Sequence, residues 1–160
     1  MNKSVLKIIT LLSIFLGIAS GLLTIIPYAG EIVFWILLVL AAPVVILFLT
    51  NQRVFEIETV RQSVVVGGLI GFVSFLAFSA VYLPAVIVLA RIFNYSSNYG
   101  VSMFVSHSSF GLLVMLAVFM GVLAATINAF SGFVTYYLIE FNKSLKTTEN
   151  FEDTQFNIRK

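Results

Sequence analysis

Cysteine is absent from this chain of 160 residues, and histidine occurs only once. Without cysteine there can be no disulfide framework, no thiolate metal site and no cysteine nucleophile. The single histidine, His107, lacks partner side chains for a metal site, and we interpret it as an interfacial residue beside a helix start that Ser108 or Ser109 caps. No catalytic, nucleotide-binding or metal-binding motif is present. We therefore expect neither an enzyme nor a bound cofactor or metal.

Charged residues are scarce as well. They make up 10% of the chain, against about 25% in ordinary soluble domains, whereas hydrophobic residues make up 60% and the mean hydropathy is +1.07. A water-soluble fold of this length could not bury so much apolar surface, so we expect the protein to reside in a lipid bilayer. The net charge of +2 is too small to indicate nucleic-acid binding.

Long apolar runs without charge are the main positive feature. They cover residues 8–26, 32–49, 64–90 and 110–139, and each is long enough for a helix rising 1.5 Å per residue to cross a hydrocarbon core of about 30 Å. The sequence predicts an all-α integral membrane four-helix bundle in residues 1–141, with helices at about 5–26, 32–50, 62–92 and 108–140. Residues 142–160 mix both signs of charge without apolar periodicity, and we expect a disordered cytoplasmic tail there.

The first apolar run has two interpretations. Its basic start at Lys3 and Lys7 and its small residues around Ser20 are typical of a secretory signal peptide. The run continues to Pro27, however, and is long enough to span a bilayer. We therefore expect the first helix to be retained.

The distribution of lysine and arginine predicts the orientation. With four spans, eight of the nine basic residues fall on one side of the membrane, and only Arg91 falls on the other. Basic loops face the cytoplasm, so we expect both termini and the loop between the second and third helices to be cytoplasmic. The compact four-span form without large loops favours a bacterial plasma (inner) membrane.

Two loops carry further expectations. The cytoplasmic segment NQRVFEIETVRQS, residues 51–63, is either a short amphipathic helix on the membrane surface or an additional turn or two of the third helix. The outer segment, residues 91–109, is polar without being charged, and its Tyr95 and Tyr99 suit the headgroup region.

Small residues recur at helical spacing in three of the four runs. Apolar burial contributes little to helix association in lipid, whereas small side chains four residues apart let two backbones approach closely. The predicted packing residues are Gly17 and Gly21 in the first helix, Gly67 and Gly71 in the third, and Gly121, Ala125 and Gly132 in the fourth. The second helix has small residues only at Ala41 and Ala42, so we expect it to be peripheral. The pattern leaves open whether these stripes join helices of one chain or of several copies.

Asn128 is the strongest polar candidate within a span. It lies on the small-residue stripe of the fourth helix, where it either bonds to another helix or lines a path for a solute. No Asp, Glu, Lys, Arg or His lies near the middle of a span, which argues against a proton-coupled transporter.

These features favour a non-catalytic membrane protein, an accessory, assembly or scaffolding subunit whose partners are the bilayer and either copies of itself or a larger membrane protein. The alternative is an oligomeric channel or transporter for a neutral or apolar solute.

Overall fold

The computed structural model describes residues 3–26, 29–54, 56–93 and 99–158. Within these ranges the chain forms five helices and no strand. The helices are α1 (Lys3–Leu23), α2 (Ala29–Asn51), α3 (Val60–Ile92), α4 (Tyr99–His107) and α5 (Phe110–Ile158). Pro27, Tyr28 and Tyr95 lie outside the described residues, as do Arg159 and Lys160 at the end of the chain.

Four of the helices are long and apolar enough to cross a membrane. The candidate spans are Lys3–Leu23, Gly30–Asn51, Val60–Ile92 and Phe110–Leu145. The prediction of an all-helical chain with four long apolar helices is confirmed. This composition and length indicate a multi-pass membrane protein.

Local signals set the helix ends. Thr59 has an extended backbone and its side chain accepts a hydrogen bond from the N–H of Gln62, so it caps the start of α3. Ser109 caps α5 in the same way, because its hydroxyl accepts from the N–H of Leu112. Of the two serines proposed as the cap, the structure therefore selects Ser109.

The end of α2 adopts a conformation that usually requires glycine. Arg53 has a φ of 53°. Its N–H donates to the carbonyl of Thr50, and the N–H of Val54 donates to the carbonyl of Leu49. This pair of bonds is a Schellman motif with a left-handed residue just past the helix, a position that glycine or asparagine ordinarily occupies.

The packing is organised around α3, which contacts each of the other four helices. The expectation that α2 is peripheral is wrong, because α2 contacts α1, α3 and α5. One face of α2 is fully buried, and its members recur every three or four residues: Leu37, Leu38, Ala41, Ala42, Val45, Ile46 and Leu49. The helix looks uniformly apolar in sequence because its other face, which includes Trp35 and Phe48, is apolar and exposed.

The connecting segments also differ from expectation. The short helix α4 lies in the segment between α3 and α5 where we expected a loop, and Val105 of α4 packs with Val86 of α3 and Leu113 of α5. In the segment between α2 and α3, residues 56–59 are not helical and α3 starts at Val60, so no amphipathic helix forms within the described residues.

At the other end of the chain, α5 continues to Ile158, into the segment where we expected a disordered tail. No glycine or proline follows Gly132 in the sequence, so nothing in the backbone chemistry forces α5 to stop.

Candidate functional site

Asn128 is completely buried where α5 crosses α2 and α3. Its side-chain oxygen accepts a hydrogen bond from the N–H of Ala42 at 2.8 Å. Its amide nitrogen donates to the carbonyls of Leu38 at 2.7 Å and Ala124 at 3.0 Å, with a longer contact of 3.5 Å to the carbonyl of Leu37. Both the oxygen and the nitrogen of the amide are therefore satisfied within the protein.

The two closest partners of Asn128 lie beside a proline. The N–H of Ala42 and the carbonyl of Leu38 are four residues apart, which is the pair that an undisturbed α-helix joins. Pro43 follows directly, and the carbonyl that its missing N–H leaves without a helical partner is that of Val39, the residue after Leu38. The amide of Asn128 bonds to both members of this pair. It therefore links α5 to the backbone of α2 beside the proline, with its oxygen and its nitrogen both engaged in hydrogen bonds within the protein.

The interface between α3 and α5 is close around this asparagine. A Cβ on Gly71 would lie 2.5 Å from the carbonyl oxygen of Ala124 and 2.6 Å from the Cβ of Asn128, and a Cβ on Gly67 would lie 2.5 Å from the carbonyl oxygen of Asn128. No side chain larger than hydrogen fits at either position without moving the helices apart.

A second polar contact lies further along the same interface. A Cβ on Gly132 would lie 2.8 Å from the carbonyl oxygen of Ser63. The Ser63 hydroxyl in turn donates a hydrogen bond to the carbonyl of Gly132 at 2.5 Å. This close approach therefore also brings a hydroxyl on α3 within reach of the α5 backbone.

The interface between α1 and α3 is close as well. A Cβ on Gly17 would clash with the carbonyl oxygen of Ser74 and lie 2.8 Å from the Cβ of Ala77. A Cβ on Gly21 would lie 3.2 Å from the carbonyl oxygen of Phe78, which is a tight but less severe contact. The glycines of α1 and α3 are thus covered by neighbouring helices of the same chain.

Two of the predicted packing residues are less constrained. A Cβ on Gly121 would meet the ring of Phe72 at 3.4 Å and the side chain of Leu76 at 3.5 Å, which are ordinary van der Waals distances. Ala125 is partly buried, and its carbonyl lies opposite Gly68 at 3.6 Å from where a Cβ would stand. The spacing of small residues alone does not distinguish these positions from Gly67 and Gly71.

A cavity of about 1030 Å³ lies at the end of the long helices where α1 ends and α2 begins. Residues of all five helices or their ends line it, and aromatic side chains are prominent: Phe34, Trp35, Phe75, Phe78, Tyr82 and Phe104. Four of these rings form a continuous wall. Phe34 contacts Phe75 and Phe78 with centroids 6.2 Å apart, and Tyr82 stacks on Phe78 at 5.2 Å.

The cavity carries few polar groups. Glu31, in the first turn of α2, is exposed at the lining. Ser79 also lines the cavity and is mostly buried, with 7% of its surface exposed. Its hydroxyl makes no hydrogen bond among the described residues. The lining includes one carboxylate and no lysine, arginine or histidine among the residues that the structure describes.

His107 lies apart from this cavity lining. It ends α4, is exposed, and its Nδ1 lies 2.8 Å from the carbonyl oxygen of Met103. No group of three His, Asp or Glu side chains in the described part of the chain could hold a metal ion.

The cavity was not predicted from the sequence. The sequence contains one signal of its aromatic wall, because Phe75, Phe78 and Tyr82 are spaced three and four residues apart and so share one face of α3. The positions of Phe34 and Phe104 opposite that face depend on how α2 and α4 pack, which local spacing does not encode.

Comparison with protein-family models, with curated proteins and with solved structures finds no match to this chain.

Proposed function

We propose that this protein is a non-catalytic multi-pass membrane protein that serves as an accessory, assembly or scaffolding subunit. The observation that carries the proposal is the hydrogen bonding of both amide atoms of Asn128, which among the described residues is the one completely buried side-chain amide. A polar group that lines a solute path must be able to exchange its partners for the solute, whereas this amide is fully used in joining α2 to α5.

The close contacts of the glycines support the same proposal. Glycine pairs let membrane helices approach until backbone and side-chain atoms touch, and Gly17, Gly67 and Gly71 are each covered by helices of the same chain. The four spans then form one tight four-helix bundle through small-residue seams. The apolar outer faces of the helices remain available to lipid or to a partner membrane protein.

The orientation is part of the proposal. Lys3, Lys7, Arg53, Arg61 and Lys143 all fall on the side of the termini when four helices cross the membrane, and the positive-inside tendency places that side in the cytoplasm. A bacterial inner membrane suits this compact form.

The test is the mass of the particle purified from native membranes, measured by native mass spectrometry with bound lipid accounted for. We expect a monomer or a stoichiometric complex with a second membrane protein. A stable homo-oligomer without another protein would instead favour a pore and call for flux assays in liposomes.

A second candidate function rests on the cavity of about 1030 Å³, since a scaffold needs no such space. It is an oligomeric channel or transporter for a neutral or apolar solute. Uptake of such a solute by liposomes that contain the protein, lost when Glu31 or Phe104 is altered but the fold is retained, would favour this candidate over the first.

A further inference from the structure

The cavity among α2, α3, α4 and α5 has the size of a binding site for a small organic molecule. Such sites typically measure about 300–1,000 Å³ and combine mostly apolar walls with a few polar groups. This cavity measures about 1030 Å³, and apolar and aromatic side chains form most of its walls. The size of the cavity does not identify the class of ligand. We infer that class from the charge and the aromatic rings of the residues that line the cavity.

The charge of the lining selects against anions. Glu31 provides a carboxylate, and no basic side chain is present among the described residues of the lining to balance it. An anionic ligand would meet this exposed carboxylate without a compensating charge, whereas a cation would gain an attractive partner.

The aromatic wall favours the same sign of charge. The face of an aromatic ring attracts a cation, and cages of several rings recognise quaternary ammonium groups. Phe34, Phe78 and Tyr82 are held together by ring contacts, and Trp35 stands next to Phe34 at a centroid distance of 6.0 Å. Trp35 and Glu31 belong to the same end of α2, one turn apart, so rings and carboxylate line one side of the cavity.

A second polar group faces the cavity. Ser79 is more than nine-tenths buried and its hydroxyl is without a hydrogen-bond partner in the described part of the chain. The hydroxyl oxygen of Ser79 is not one of the fully enclosed atoms of the described residues, so a molecule in the cavity can reach it and bond to it.

We propose that this cavity binds an amphiphilic organic monocation, with its charged group beside Glu31 and its apolar body against Phe34, Phe78 and Tyr82. The site is independent of the proposed scaffolding role. A simpler role for Glu31 exists, because an acidic residue in the first turn of a helix interacts favourably with the helix dipole, and the experiment must separate the two.

The protein contains its own reporter for this experiment. Trp35 is the single tryptophan of the chain, it lines the cavity and it is 62% exposed. We would titrate the full chain in lipid nanodiscs with tetraphenylphosphonium and follow Trp35 fluorescence. Tetraphenylborate, which has the same size and shape but a negative charge, is the matched ligand control, and empty nanodiscs correct for partition into lipid.

We expect saturable binding of the cation and at least tenfold weaker binding of the anion. Glu31→Gln should weaken cation binding about tenfold, whereas Glu58→Gln, which removes an exposed carboxylate outside the lining, should leave it unchanged. Phe104→Leu keeps an apolar side chain in the cavity wall but removes an aromatic ring, and it should weaken binding of the cation severalfold.

Equal affinity for both ions, or equal affinity of the Glu31→Gln and Glu58→Gln variants, would overturn the proposal. So would a Glu31→Gln variant that melts at lower temperature but binds the cation as well as the original chain, since that result assigns Glu31 to the helix end alone. Lipid that co-purifies in the cavity and blocks the cation whatever residue occupies position 31 would show that an acyl chain is the occupant.

Discussion

At the scale of single residues, Asn128 has the largest structural effect that we can identify. Its amide reaches the backbone of α2 beside Pro43 while its own backbone lies against Gly67. The three long helices α2, α3 and α5 therefore meet at one side chain. A membrane interior offers no water to replace these bonds.

We predict that Asn128→Leu lowers the free energy of unfolding by at least about 2 kcal/mol. Interhelical hydrogen bonds in membranes contribute about 0.6–2 kcal/mol each, and this change removes two of them, with the N–H of Ala42 and with the carbonyl of Leu38. The measurement is thermal or denaturant unfolding in a fixed detergent.

The matched control is Thr126→Val, on the same helix. The Thr126 hydroxyl is exposed and bonds only to the carbonyl of Val122 in its own helix. Thr126→Val should change the free energy of unfolding by no more than about 0.5 kcal/mol, as surface substitutions usually do. Equal effects of the two substitutions would show that the bonds of Asn128 to α2 contribute nothing.

The glycines give a second prediction at the residue scale. Gly71→Ala should destabilise the protein by about 1–3 kcal/mol, the usual effect of overpacking, because its Cβ would meet Ala124 and Asn128 at 2.5–2.6 Å. Gly111→Ala should stabilise α5 by up to about 1 kcal/mol through helix propensity, because no atom lies within 4 Å of its Cβ.

Unfolding of both glycine variants under one set of conditions checks the prediction. If Gly71→Ala leaves the transition unchanged or raises it as Gly111→Ala does, α3 and α5 do not pack as closely as the structure shows.

At the scale of helices, the end of α2 is held by a residue poorly suited to its backbone. A left-handed conformation costs a side-chain-bearing residue about 1–2 kcal/mol relative to the right-handed one, and Arg53 adopts it at a φ of 53°. The proposed orientation gives a reason for an arginine here, since a positive charge at this loop helps to keep it in the cytoplasm.

We predict that Arg53→Gly raises stability by about 0.5–1 kcal/mol, because glycine adopts the left-handed region at little cost. Arg61→Gly is the control, because it removes the same charge from the first turn of α3, where glycine weakens the helix by up to about 1 kcal/mol. Opposite shifts in melting temperature are expected. A loss of stability in both variants would assign the effect to charge rather than to conformation.

Sequence predicts some helices of this protein better than others, for physical reasons. The runs that became α1, α2, α3 and α5 are long and uncharged, and in such runs hydropathy alone is informative. The buried face of α2 could not be predicted, because both of its faces are apolar and the partner of Ala42 is an amide in another helix.

The residues of the candidate site also differ in how far the sequence predicts their roles. Asn128 stands out in sequence because a polar residue is rare at that depth, but its bonding partners are backbone groups, which carry no sequence signal. Gly71 and Gly121 look equivalent as members of small-residue stripes, and only the packing shows that a Cβ would clash at the first and fit at the second.

At the scale of the whole molecule, the central claim is that four helices cross the membrane and leave both termini and the loop after α2 on one side. The cysteine-free chain is a ready background for testing this, since each introduced cysteine is the sole reactive thiol. Arg53 and Lys143 are exposed at one end of the long helices, and Phe93, 67% exposed, is at the other.

The most direct measurement is labelling of the single-cysteine variants Arg53→Cys, Phe93→Cys and Lys143→Cys by a membrane-impermeant maleimide in intact cells. We predict that Phe93→Cys is labelled in intact cells and that Arg53→Cys and Lys143→Cys are labelled only after the membrane is permeabilised. Labelling of Arg53→Cys together with Phe93→Cys in intact cells would place the two ends of α3 on the same side, and the four-span arrangement would be wrong.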